Sequence, residues 1–213
     1  MENIIKIPSK SNPNVILKAI PGHFVTPNSH VNYFLDMTTL KSRLNEASAA
    51  AEELAKQISL DTVVDTIVCI DGCEIVGAFL AQELTRAGVL SMNAHKTIYI
   101  ITPEYINSGQ LLFRENLLPM IRDKNVLLLM ASATTGQTII KATQALTYYG
   151  AKISGIGAIF SAINSMGGVA IKSLFHISDI PDYKAYSPEG CALCKEGKGI
   201  DAFANGYGYS RIS

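Results

Sequence analysis

Three short aliphatic runs constrain the fold class more than any other feature. Thr66–Ile70 (TIVCI), Thr97–Ile101 (TIYII) and Val126–Met130 (VLLLM) are β-branched or aliphatic throughout except at Cys69 and Tyr99. Each is followed by a polar or glycine-bearing turn and then by residues that read as a helix. Apolar strands alternating with helical patterns predict an α/β fold, an open and mainly parallel sheet flanked by helices.

The helical segments are read from spacing. Between Asp36 and Ile58, apolar or small residues recur at Leu40, Leu44, Ala47, Ala51, Leu54 and Ile58, which predicts one helix of about six turns. A second helix is expected from Ile75 to Ala87. After TIYII comes a polar loop with Pro103, Asn107, Ser108 and Gly109, then a short helix over Leu112–Ile121 interrupted near Pro119. Thr135-Gly136 opens a further helix with Ile139, Ile140, Ala142, Ala145 and Leu146 on its apolar face, and Gly150 ends it. Lys152–Phe160 and Ser173–Ile177 are the remaining expected strands. Residues 1–213 read as a single domain, with a C-terminal tail over about 181–213 that is rich in Gly, Tyr and Pro and reads as irregular.

Composition excludes several function classes. Lys+Arg 18 balance Asp+Glu 18, and no long basic tract occurs, which argues against nucleic acid or an anionic membrane as a partner. No apolar run approaches the roughly 18 residues of a membrane span, and MENIIKIPSKSNPN lacks the apolar core of a signal peptide. A cytoplasmic protein is the simplest expectation.

The chemistry-bearing stretch is VLLLMASATTGQT, Val126–Thr138. An apolar strand that runs into Thr-Thr-Gly and a helix suits an anion. The first N–H groups of a helix are unpaired and lie at the positive end of its dipole. Ser132, Ala133, Thr134, Thr135, Gly136, Gln137 and Thr138 form the expected phosphate loop, with threonine hydroxyls as extra donors and Gly136 allowing close approach. A Walker A loop is excluded because no Gly-Lys-Ser/Thr follows. The alternative is a threonine N-cap that serves the helix alone.

This stretch resembles the 5-phosphoribosyl 1-pyrophosphate (PRPP) signature of type I phosphoribosyltransferases: four hydrophobics, two acidic residues, then a Thr-Thr-Gly phosphate loop. The turn Asp71-Gly72-Cys73-Glu74 after TIVCI matches the position of that family's pyrophosphate loop. Tyr33-Phe34-Leu35-Asp36 is similar to the Tyr-Tyr-x-Asp segment of the orotate enzymes. The resemblance implies transfer of ribose 5-phosphate from PRPP to a base, Mg²⁺ as cofactor, a nucleotide, PRPP or sugar phosphate as small-molecule partner, and a homodimer. Two departures stand out. Met130 and Ala131 occupy the positions of the acid pair that holds the ribose hydroxyls, and the span Thr97–Phe113, where orotate enzymes carry a basic mobile loop, has no Lys or Arg. His95, Lys96 and Arg114 flank it. The alternative is therefore a catalytically silent binder of a nucleoside monophosphate, acting as regulator or sensor.

The four cysteines are too few for a disulfide framework. Cys69 reads as a buried small hydrophobe. Cys191-x2-Cys194 has the spacing of half a tetrahedral Zn²⁺ site, with His176 or another subunit's pair as further ligands; plain thiols or a redox pair are the alternatives. His23 and His30 could face a ligand but are expected to be surface histidines. Gly155 and Gly157 are read as close packing, Asp61 and Asp65 as cap and loop residues. Tyr183, Tyr186, Tyr207 and Tyr209 are expected to pack on the sheet or a partner.

Overall fold

The computed structural model describes residues 4–86, 91–94, 96–106 and 109–212. Ala87, His95, Asn107 and Ser108, named above, lie outside the described residues. In chain order the strands and helices are β1 (Ile5–Pro8), β2 (Ile16–Val25), β3 (His30–Asp36), α1 (Thr38–Ser42), α2 (Leu44–Gln57), β4 (Thr66–Cys69), α3 (Glu74–Arg86) and β5 (Tyr99–Ile101). There follow β6 (Glu104–Tyr105), β7 (Leu111–Leu112), β8 (Asn125–Ala133), α4 (Gln137–Tyr148), β9 (Lys152–Ser161), β10 (Ser165–Met166) and β11 (Val169–His176). β12 (Ala185–Tyr186), α5 (Ala192–Lys195), β13 (Ala202–Asn205) and β14 (Gly208–Arg211) complete the order.

The central sheet runs β11-β9-β8-β4-β5, every pair parallel, with β10 antiparallel on the β11 edge. This is the expected open α/β sheet, and its middle strand β8 is buried on both faces. Leu127, Leu129 and Ala131 pack into the core shared with α2, α3 and the N-terminal strands, while Val126, Leu128 and Met130 pack into the α4 side. Period-two alternation therefore carries straight through the Met-Ala pair. Gly155 and Gly157 serve close packing: a Cβ at either would stand 2.9 Å from a Leu127 methyl and 3.3 Å from a Leu129 methyl, respectively.

Four expectations are corrected. The single long helix is two, because Arg43 is extended between α1 and α2 (φ −96°, ψ 125°), and Leu44 is exposed rather than part of the stripe. Pro119 sits within a 3₁₀ turn, Glu115–Met120, not an α-helix. The tail is not irregular: β12, β13 and β14 join β2 and β3 in a second sheet of order β12-β3-β2-β13-β14, with β1 on β2. β11 is accordingly not the last strand. None of β1–β3 was read from the sequence. β2 is interrupted by Pro21-Gly22, and its neighbour β13 lies far along the chain.

Candidate active site

The carboxyl ends of β4 and β8 open on one cleft of about 360 Å³, where open α/β sheets place their ligands. One wall is the expected phosphate loop. Ser132, Ala133, Thr134, Thr135, Gly136 and Thr138 line the cleft, and Gln137 does not. Gly136 is the N-cap of α4 with φ 77° and ψ −4°, a left-handed conformation that glycine alone adopts at little cost. A Cβ there would also collide with the Met166 methyl. The α4 N-terminus has no side-chain cap, so its donors remain for a ligand rather than for a threonine hydroxyl.

From the turn after β4 only Asp71 lines the cleft; Gly72, Cys73 and Glu74 do not. Asp71 and Gly72 both have positive φ, 59° and 75°, which reverses the chain and brings the Asp71 carboxylate back to the Ala131 N–H. Burial raises the Asp71 pKa, and nearby Lys41 offsets part of that rise. Of the other turn residues, Cys73 is fully buried and points into the core, its thiol pushed up by burial. Glu74 is exposed and accepts a hydrogen bond from the Thr102 hydroxyl.

Two cations line the cleft that sequence reasoning missed. Lys41, in the last turn of α1, donates to the carbonyl oxygens of Asp71 (2.8 Å) and Gly206 (2.5 Å), and lies 6.0 Å from the centre of the Tyr207 ring. It joins the β4 turn to the β13–β14 turn. Lys141 lines the cleft from α4. Neither carries a sequence signal, since each sits on an ordinary helix. The flanking cations named from sequence do not serve: Arg114 forms an exposed bidentate pair with Glu104 (2.6 and 3.0 Å), and Lys96 acts on Asp65.

The missing acid pair is a structural fact as well. Met130 and Ala131 are 0% and 3% exposed, and both line the bottom of the cleft with side chains turned into the two cores. The second sheet and its connections add Thr26–Asn28, Tyr33, Phe34, Tyr183 and the Ala204–Gly208 turn, and the β6–β7 hairpin adds Tyr105, Gly109 and Leu111. Phe24, Phe34 and Tyr209 form one aromatic cluster, and Tyr183 packs on Phe160. Tyr183 and Tyr209 thus pack as expected; Tyr186 is half-buried in β12, and Tyr207 is mostly exposed at the cleft.

No protein-family model matches the chain. Over 184 residues it is 25% identical to the orotate phosphoribosyltransferase of Chlorobaculum parvum, an alignment that covers 86% of this chain and 87% of that protein. The chain resembles a type I phosphoribosyltransferase of the orotate kind. Solved structures agree on the fold. The orotate phosphoribosyltransferase of Aeropyrum pernix superposes with a TM-score of 0.54 at 20% identity, over 84% of this chain and 92% of that one. The adenine phosphoribosyltransferase of Thermoanaerobacter pseudethanolicus gives 0.52 at 16%, over 82% and 95%.

A second constellation lies apart from the cleft floor. His23, His30, Cys191 and Cys194 each direct one ligand atom inward, all within 4.8 Å of one another. His23 and His30 are buried, not surface histidines. Burial, with His23 adding to it, holds the His30 pKa below the ordinary imidazole value. His176 is not part of this group; it bonds with Ser178 and Asp179 in its own turn. Among the described residues no helix is long and apolar enough to cross a membrane.

Proposed function

We propose that the cleft binds PRPP and that the chain transfers its ribose 5-phosphate to a nitrogenous base of the orotate class. The observation that carries this reading is the uncapped, glycine-opened phosphate loop facing a lysine and a carboxylate across one cleft. The 5′-phosphate sits on the loop and the α4 N-terminus. Pyrophosphate lies toward the Asp71–Glu74 turn, within reach of Lys41. In the reaction the bond from C1′ to the pyrophosphate oxygen breaks, pyrophosphate takes the electron pair, and a base nitrogen forms the new bond to C1′. Fixed cations facing the departing oxygens stabilise the charge that develops there.

Asp71 is the carboxylate that fits the lost acid pair's task. Its oxygens reach the Ala131 N–H, so it lies beside the position of the second missing acid. Mg²⁺ keeps most of its ligands as substrate phosphates and water, needing one or two protein carboxylates. Asp71 meets that need, and the ion would draw charge from pyrophosphate. A cytoplasmic location and a homodimer belong to the same reading, on the strength of the family resemblance.

Binding without transfer is the second reading, and the burial of Met130 and Ala131 favours it: no carboxylate comes from β8 to hold the ribose hydroxyls. One experiment separates the two. Pyrophosphate release is followed with PRPP, Mg²⁺ and orotate or other bases, alongside calorimetric titration with PRPP and with uridine monophosphate. Release supports the transferase. Binding with no release for any base leaves the silent binder, and no binding of either ligand removes both.

A further inference from the structure

The cysteine pair finds its partners at the other end of the chain. β2 carries a bulge: Pro21 faces Tyr33 and Phe24 faces Val31, so one extra residue lies between them on β2. A bulge re-aims the side chain it carries, and His23 lies within it, fully buried. His30 begins β3 beside it, with ring centres 5.2 Å apart. Cys191 caps α5 and Cys194 lies one turn on, which places both thiols on one face.

The tautomer of His23 is fixed by its surroundings. Its Nδ1 lies 2.9 Å from the Lys198 carbonyl oxygen and 3.1 Å from that of Gly199. Carbonyls only accept, so Nδ1 must carry the proton, and neutral His23 presents a bare Nε2. That atom faces His30 Nδ1 at 3.1 Å and both cysteine sulfurs at 3.6 Å, while Cys194 Sγ stands 3.4 Å from His30 Nδ1. A tetrahedral zinc ion, with Zn–S about 2.3 Å and Zn–N about 2.05 Å, separates N from S by about 3.6 Å and N from N by about 3.3 Å. These four distances fit that polyhedron to within about 0.2 Å, and a backbone carbonyl on the far nitrogen is the usual orienting contact of a zinc-bound histidine.

We propose that His23 Nε2, His30 Nδ1, Cys191 Sγ and Cys194 Sγ hold one structural zinc ion, which fastens the Cys191–Gly199 segment to β2–β3 and thereby sets the outer wall of the cleft. The two histidines flank Thr26–Asn28, which line the cleft. Past the cysteines, Asp201 is laced to His23 twice, its carboxylate accepting from the His23 N–H (2.7 Å) and its N–H donating to the His23 carbonyl (2.8 Å). From Asp201 the chain runs into β13 and the Ala204–Gly208 turn. With all four positions filled by protein, the ion has no open site for catalysis. Exposed Cys194 leaves a path for it to enter.

Metal analysis of the full chain, purified without chelator, should give about one zinc per chain. Cobalt(II) in its place should give the intense visible absorption of a tetrahedral thiolate site. Cys194→Ser and His30→Ala should lose the metal, and a strong chelator should lower the parent's Tm to near that of Cys194→Ser. Chelation should also speed amide exchange in residues 204–208. Should either variant fail to fold, the cobalt spectrum of the parent decides alone. Three results would overturn the proposal: no zinc after reduction and reconstitution with zinc salt, zinc retained in both variants, or a Cys191–Cys194 disulfide that is reduced without any gain in zinc uptake. None of these readouts uses PRPP, so they stand apart from the transferase test.

Discussion

Replacing Lys41 with methionine removes a cation while keeping an unbranched, largely aliphatic side chain. The structure sets the size of the effect. Lys41 Nζ makes two hydrogen bonds, to the carbonyls of Asp71 and Gly206, and bonds to a charged group contribute about 1.5–3 kcal/mol each. Both carbonyls border an open cleft and can take water in exchange, so the combined loss is about 2–4 kcal/mol. In a chain of this size, that lowers Tm by about 5–15 °C. An ammonium has three donors, two of them used here, which leaves the third for a ligand phosphate. Its loss should weaken PRPP binding roughly 10- to 150-fold. Thermal melts at pH 7 and calorimetry with PRPP and Mg²⁺ read the two effects separately. A variant that melts within a degree of the parent would refute Lys41 as the link between the two turns. One that melts lower yet binds PRPP unchanged would refute its place in the ligand site.

Three further outcomes are expected. Thr135→Val should leave Tm nearly unchanged, since the side chain is exposed, yet weaken PRPP or nucleoside monophosphate binding by about tenfold or more in calorimetry; unchanged affinity would mean the loop is not the site. Gly136→Ala places a side chain at φ 77°, a cost of about 1–2 kcal/mol, and should lower Tm by about 2–8 °C while abolishing binding; an unshifted melt would contradict the left-handed cap. Asp71 has its pKa raised by burial, so its contribution to stability is fully present below the unfolded value and is lost as pH rises through the folded one. Asp71→Asn should therefore melt higher than the parent at pH 7, with the gap closing toward pH 4, and should bind or turn over PRPP less well. A gap that widens on acidification would reverse the sign of the argument.

What could be read in the sequence was local. VLLLM, ATTGQT and the turn after TIVCI each state their geometry within a dozen residues, and β8, the Gly136 cap and the Asp71 turn formed where expected. The break at Arg43 was hidden because Leu40, Ala47, Ala51 and Leu54 keep helical spacing across it. The second sheet was hidden for a different reason. β2 pairs with β13 across most of the chain, and Pro21, Gly22 and a bulge blur its alternation. The same distance concealed the meeting of His23 and His30 with Cys191 and Cys194, where each half alone looks ordinary. Lys41 and Lys141 show their roles only once the turns they face are in place.

The Ala204–Gly208 turn has a consequence for how the protein comes into being. The described strands of the central sheet are all complete by His176, so that sheet can pair before β13 and β14 have left the ribosome. The cleft cannot exist until Gly208 has emerged and the hairpin has folded back onto Lys41. A nascent chain therefore carries a scaffold with an unfinished pocket until β13 and β14 are in place, and the ligand gains its full set of contacts only then.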